Sequence, residues 1–421
     1  FFQFGVGIAV ERSSPWETYV RTLPVTASVR LTARLLSAAG FAAASAAVVV
    51  AVALAATPLA LAAQSNLSSQ GLGYATGQLS TRAEGTGGSI GEIDPLSLVN
   101  PAALAFIGTT TLFFQIEPEY RSVVVGTATD NTTTARYPLF AAILPIGSNW
   151  AVGVTSATML DRTWTTSIDS NIVLAPDTVQ STFVSGSSGS INDLRLAVAW
   201  APLTYLRLGL GGHLMSGSDR VFVGRTFTDN AAFGNFADST TIGFDGGAVS
   251  GGIQLVVPKL AIASASFRKG GALNATRNDT SLAHAHVPDR MGFSLAYVGF
   301  EGSEIAARTS FDKWSSLKGL TPGVSQPVDA WDTSVGADIA GPRFGSQPLM
   351  LRLGGRWRTL PYGAGPTNEK VNERTFSGGI GTAFGAGRVI TDLTVLHSNR
   401  NANIGVSERA WTLSIGLGIR P

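Results

Sequence analysis

Residues 409–421 read RAWTLSIGLGIRP, and their alternation sets the terms for everything else. Trp411, Leu413, Ile415, Leu417 and Ile419 occupy one set of alternate positions; Ala410, Thr412, Ser414, Gly416 and Gly418 occupy the other. Successive side chains of a strand point to opposite faces, so one face is bulky and apolar and the other carries nothing larger than threonine. The period recurs in NWAVGVTSATM, where Trp150, Val152 and Val154 oppose Ala151, Gly153 and Thr155. In LRLAVAW, Leu194, Leu196, Val198 and Trp200 oppose Arg195, Ala197 and Ala199. In LMLRLGGRWR, Leu349, Leu351, Leu353 and Trp357 oppose Met350, Arg352, Gly354, Arg356 and Arg358. In SEIAARTSF, Ile305, Ala307 and Phe311 oppose Glu304, Ala306, Arg308 and Ser310.

Charged residues make up only 14% of the chain, which suits a membrane environment, yet no run of eighteen apolar residues follows residue 63. Spanning helices are thereby excluded there, and a closed barrel is the other way to satisfy every backbone group in lipid. The bulky face then meets hydrocarbon and the small face looks into a lumen. Tight breaks at 145–149, 201–205, 257–259, 299–303, 341–347 and 385–387 take turns with longer polar stretches at 226–239, 273–289 and 361–372. Short turns at one end and long loops at the other are the pattern of a transmembrane β-barrel.

Fourteen strands are expected, starting near 109, 133, 150, 170, 206, 239, 260, 288, 303, 329, 348, 372, 388 and 406. Each should run for about nine to eleven residues. The poorly patterned region 161–190 is read as one strand plus loop. Trp150, Trp200, Trp331, Trp357 and Trp411 near strand ends suit an interfacial girdle.

Residues 1–62 stand apart. The uncharged run 35–63 is long enough to cross a bilayer as a helix, Arg30 and Arg34 precede it, and Ala60–Gln64 offers a signal-peptide cleavage site after Ala62. The stretch GVGIAVERSSPWETYVRTLPVTASVRLTARLL within residues 1–60 resembles the permease subunit of an ABC-2 type exporter. We read 1–62 as an apolar helix that is a signal peptide or upstream sequence, 63–108 as a separate segment and 109–421 as the barrel. Beyond residue 63 the chain holds 26 basic and 26 acidic residues, a balance that does not suit nucleic-acid binding.

The segment 63–108 lacks the strand period, is rich in glycine and contains IDPLSLVNPAALAF. That stretch is similar to the N-terminal hatch of the FadL-like outer-membrane transport proteins, the matching residues being Asp94, Asn100, Pro101, Ala102, Ala103 and Leu104. SFDKWSSL at 310–317 and the final third of the chain look like later strands of such barrels. The resemblance implies a monomeric fourteen-stranded barrel in the bacterial outer membrane, surrounded by the lipid bilayer. It also implies a hatch in the lumen and passage of hydrophobic solutes, sometimes sideways into the membrane. From the residues themselves, Asn100 as a cap and Pro101 at the first helical position predict a short capped helix.

No cysteine is present and the four histidines, His213, His284, His286 and His397, form no metal-ligand pattern beyond the HAH pair, so no metal or other cofactor is expected. No serine is recognisable from the sequence as a nucleophile coupled to a histidine, and an enzyme is not expected. The inward arginines Arg195, Arg207, Arg352, Arg356 and Arg358 could form a ladder with Glu304, Asp338 and Asp392. They would then either fix the plug as ion pairs or hold a ligand carboxylate in a bidentate fork. Passage of a hydrophobic or amphipathic small molecule, fatty-acid-like or aromatic, is the leading expectation. A PorV-like barrel serving as adaptor or anchor for secreted proteins is the alternative.

Overall fold

A computed structural model describes residues 72–420 apart from 126–127, 175–176, 229–233, 322–325, 345–346, 366 and 403–404. The apolar helix 1–62, with its signal-peptide reading and its exporter resemblance, lies outside the described residues. Seventeen strands follow in order: β1 (Tyr74–Ala75), β2 (Thr111–Val125), β3 (Ala128–Ile146), β4 (Trp150–Asp161), β5 (Trp164–Leu174), β6 (Asp177–Leu203), β7 (Leu206–Phe227), β8 (Phe236–Val257), β9 (Ala261–Arg277), β10 (Thr280–His286), β11 (Arg290–Tyr297), β12 (Glu304–Asp312), β13 (Ala330–Phe344), β14 (Gln347–Ala364), β15 (Glu369–Phe384), β16 (Val389–Asn401) and β17 (Val406–Ile419). Fourteen of them close an antiparallel barrel, with β17 returning to β2 and β9 pairing directly with β11. The other three are accessory: β5 pairs with the far half of β6, β10 folds back on β9, and β1 adds two residues to β4.

The faces fall as the alternation requires. Trp411 is exposed while Ala410, Thr412 and Ser414 are buried, and Leu353 is 63% exposed between the buried Arg352 and the inward Gly354. Outward Leu194, Leu196, Val198 and Trp200 alternate with buried Asp193, Arg195, Ala197 and Ala199. An apolar belt of this kind is stable only against hydrocarbon. Trp150 stacks on Trp200 at 5.4 Å near the end that carries the short turns. Trp331, Trp357 and Trp411 are exposed toward the opposite end, with Trp331 against Phe311 and Trp411 against His397. All six expected tight breaks fall between barrel strands at the first end, which we call the lower end.

Two expectations are corrected. Region 161–190 is not one strand plus loop: β5 is a separate arm, and β6 runs unbroken for 27 residues through position 190. Strands are also longer than nine to eleven residues, with β7 and β8 reaching 22 each. At the upper end they outrun the apolar belt and mix polar with apolar residues on both faces, so the hydrophobic period fades there although the backbone ladder continues. The stretch 361–372 is accordingly a hairpin between β14 and β15 rather than a long loop.

Candidate functional site

Inside the ring lies the chain's own N-terminal segment. It comprises β1, a short helix α1 (Thr81–Gly85), a series of turns and a 3-10 helix (Pro101–Phe106). Ser80 caps α1 by accepting from the Ala83 amide and donates to Asp94 at 2.6 Å. Asp94 also accepts from the Ser97 amide and hydroxyl, so it organises the turn. Asn100 caps the second helix through the Ala102 amide, as its sequence position predicts, and donates to the Glu92 carbonyl and to Ser264 on β9. Pro101, Ala102, Ala103 and Leu104 are all buried.

Wall glycines explain the small inward face. A Cβ on Gly209 would overlap the backbone of Pro101 and Ala102, one on Gly252 would strike Asn100, and one on Gly354 would strike Thr86. Glycine at these positions therefore brings segment and wall into backbone contact. The small face is filled rather than left open for solute.

Between segment and wall lies a continuous set of ion pairs. Tyr74 is the upper hub. Its hydroxyl accepts from Arg358 at 2.5 Å and Arg400 at 3.1 Å and donates to Glu373. Its ring meets the guanidinium groups of Arg121, Arg136, Arg358 and Arg400 within 6 Å. Those four arginines pair with Glu119, Glu373, Glu408 and Asp161. Midway, Glu92 of the segment accepts from Arg308 and Ser266, while Asp332 holds Arg308 and Arg356. Lower down, Arg82 of the segment joins Glu304 at 2.7 Å and Asp338 at 3.0 Å, and Arg352 bridges Asp338 to Asp392.

The inward arginines thus divide. Arg352, Arg356 and Arg358 each pair with a carboxylate, and the ladder through Glu304, Asp338 and Asp392 also takes in Arg82, which the sequence reading had not included. Arg195 is fully buried and donates to the Leu98 carbonyl at 2.8 Å; its Nε and Nη2 have no hydrogen-bond partner. Arg207 lies over the Phe106 ring, 3.9 Å from its centre.

Asp193, His213 and Ser250 form a hydrogen-bonded chain across β6, β7 and β8, at 2.7 Å and 2.8 Å. This has the order of a serine-hydrolase triad, but Asp193 also accepts from Gln78 of the inner segment and from Arg268. None of the three lines either cavity described below. The chain ties three strands to the segment. His284 bonds Asn274 and Ser281 on an exposed arm, and among the described residues no metal-binding group is found.

Above the arginines sits an apolar layer that sequence reasoning missed. It includes Leu72, Met159, Ile191, Phe244, Trp314 and Leu360. Beneath it is a cavity of about 40 Å³ bordered by Met159, Trp314, Arg290 and Asp332, large enough for a few waters only. A second cavity of about 320 Å³ opens at the lower end between Asp94, Leu96 and Ile107 of the segment and Met350, Ile390 and Asp392 of the wall.

Among the described residues the wall is interrupted between β3 and β4. The ladder between β3 and β4 runs from Ile146↔Trp150 to Leu139↔Ala157 and ends, although β3 continues upward to Ala128. Both strands are irregular there. The β2–β3 register shifts between Gln115 and Glu117, opposite Tyr137 and Pro138, and the β4–β6 register shifts between Thr158 and Leu160. Proline lacks the N–H a ladder needs, and bulges re-aim a strand. Two latches close the break. One is the Arg136–Asp161 pair at 2.6 Å, and the other is β1, which pairs with Leu160 and Asp161.

A closed fourteen-stranded antiparallel ring with an outward apolar belt and residues 72–108 packed inside has the fold of a transmembrane β-barrel. Among solved structures it is similar to a Pseudomonas aeruginosa FadL homologue, at 12% identity over 83% of this chain and 99% of that one, with a TM-score of 0.55. It is also similar to the Ralstonia pickettii toluene transporter TbuX (13% identity, 82% and 98% covered, TM-score 0.52) and to the P. putida toluene transporter TodX (12%, 85% and 99%, 0.52). These likenesses are of fold. No family model matches the chain. No curated protein matches it significantly.

Proposed function

We propose that this chain is a passive channel of the bacterial outer membrane for hydrophobic or amphipathic small molecules, fatty-acid-like or aromatic, with residues 72–108 acting as its hatch. The observation that carries this reading is the break between β3 and β4. A ring built only as an anchor has no need of bulges on both sides of a place where the ladder stops. A solute that partitions into the upper apolar layer would leave sideways through that break, where lipid rather than water receives it. The names of the similar structures, two of them toluene transporters, support the solute class. In this reading Asp94, Asn100, Pro101 and Ala102 shape the hatch, Arg352, Arg356 and Arg358 hold it, and Arg195 and Arg207 are the inward cations left to meet a polar head group.

The test is uptake of radiolabelled fatty acids and aromatic hydrocarbons into liposomes carrying the full chain. Because the chain has no cysteine, Arg136→Cys with Asp161→Cys allows the break to be bridged by a reducible bis-maleimide. Uptake should fall on bridging and return on reduction. Uptake indifferent to the bridge would remove the lateral route, and no uptake of any hydrophobe would remove transport altogether. The filled lumen also suits a barrel that anchors secreted proteins, and the same absence of uptake would favour that reading.

A further inference from the structure

Glu84 of α1 and Glu117 of β2 stand out among the buried carboxylates because they share a single amide donor while no arginine or lysine pairs with either among the described residues. Gln115 Nε2 donates to both, at 3.2 Å to Glu84 and 2.5 Å to Glu117, and it also lies 3.2 Å from the Ser414 hydroxyl, which in turn reaches Glu117. Both glutamates are buried. One belongs to the inner segment and the other to the wall, so they meet only when the segment is seated.

The surrounding charges are committed elsewhere. From β14, Arg352 bonds Asp392 and Asp338, and Arg356 is held by both oxygens of Asp332. On β3, Arg136 is taken by Glu119 and Asp161. Arg82, on the same helix as Glu84, reaches Glu304 and Asp338. Asp392 on β16 and Glu119 on β2 add negative charge. From β15, β16 and β17 the helix region receives hydroxyls: Ser377 to Gly85, Thr394 to Thr81 and Ser414 to Thr81. Two ionised carboxylates sharing one amide, buried and without a cation, repel strongly. The arrangement is stable when a proton is shared between them.

We infer that Glu84 and Glu117 form a proton-binding site between hatch and wall, so that the hatch is seated when the pair is protonated and released when it ionises. This rests on the hatch reading of residues 72–108. Burial, and then the neighbouring Glu117 carboxylate, raise the Glu84 carboxyl well above the usual range. A released Glu84 in water titrates near about 4.3. The seated state therefore keeps a proton that the released state loses. Seating is at full strength below that value and weakens as pH rises toward the raised one. Acid closes the hatch and alkali frees it.

The experiment reads hatch position directly, so its outcome does not depend on whether any solute passes. Ser89 of the segment is fully buried and its hydroxyl has no partner, which makes Ser89→Cys the single reporter thiol of the full chain. Its labelling rate, divided at each pH by that of the same protein unfolded in denaturant, gives a protection factor free of thiol titration. Protection should fall about tenfold or more between about pH 5 and about pH 9, tenfold for each unit of pKa elevation crossed. Glu84→Gln with Glu117→Gln keeps the shape and the hydrogen bonding, and should hold protection high and flat over that range. A pH-independent protection factor in the unsubstituted pair overturns the inference, as does an unchanged pH dependence in the double glutamine variant. Failure of the uptake assay would leave this result standing.

Discussion

Tyr74 shows how much a single residue carries when it is placed inside a barrel. It sits at the start of the inner segment, yet its hydroxyl is bonded to groups from β14, β15 and β16, some three hundred positions away in sequence. Tyr74→Phe keeps the ring that faces four arginines and removes only the oxygen that Arg358 and Arg400 donate to. Leaving charged donors short of an acceptor in a buried place costs about 1–3 kcal/mol, so the variant should melt at lower temperature by calorimetry while the barrel still forms. Gly354 tests the opposite limit. Since a Cβ there would run into Thr86 backbone, Gly354→Ala should displace the segment from the wall and raise thiol labelling at Ser89→Cys. If labelling stays at the level of the parent chain, the close approach of wall and segment is not what seats it.

Among the elements, the 3-10 helix Pro101–Phe106 was legible and its partners were not. Asn followed by Pro announces a capped start wherever it occurs, and Asn100 caps as expected. That the same amide would donate to Ser264 on β9 depends on a pairing across 164 positions, and no local pattern encodes it. Asn100→Ala should therefore cost more than the ~1 kcal/mol of a lost cap, since the buried Glu92 carbonyl and Ser264 lose a donor as well. A loss confined to that figure in thermal unfolding would show that water replaces the amide.

The same division holds for strands. Belt halves were readable because lipid on one side and small residues on the other give the period its contrast. The upper halves of β6, β7 and β8 lose the contrast between a bulky and a small face, and their extension was missed, along with Arg400, which lies beyond the expected span of its strand; Glu373 and Glu408 lie in expected strands, but nothing local marks them as partners of Tyr74 and Arg400. Pro138 was visible in the sequence, but its opposing irregularity at Met159 could be placed only once β3 and β4 were seen side by side.

For the molecule as a whole, an even ring fixes where its ends lie. Fourteen strands bring Thr111 and Ile419 to the same rim, adjacent through the Leu112↔Ile419 pair, and that rim carries the tight turns. A chain threaded into an outer membrane from the inner side leaves both ends there, so the lower end should face the periplasm and the arms β5 and β10 the exterior. Two turns discriminate. Asn278 and Asp279 turn between β9 and β10 at the upper end, and Gly385 and Ala386 turn between β15 and β16 at the lower end; each has positive φ and no ladder duty. An epitope inserted after Asn278 should bind antibody on intact cells, whereas one inserted after Gly385 should bind only after the outer membrane is permeabilised. The reverse pattern would invert the barrel, placing the apolar layer and the entry to the β3–β4 break on the periplasmic side. Inward uptake from the exterior would then have to begin at the 320 Å³ cavity, where Asp94, Asp392 and Arg352 sit among Leu96, Ile107, Met350 and Ile390.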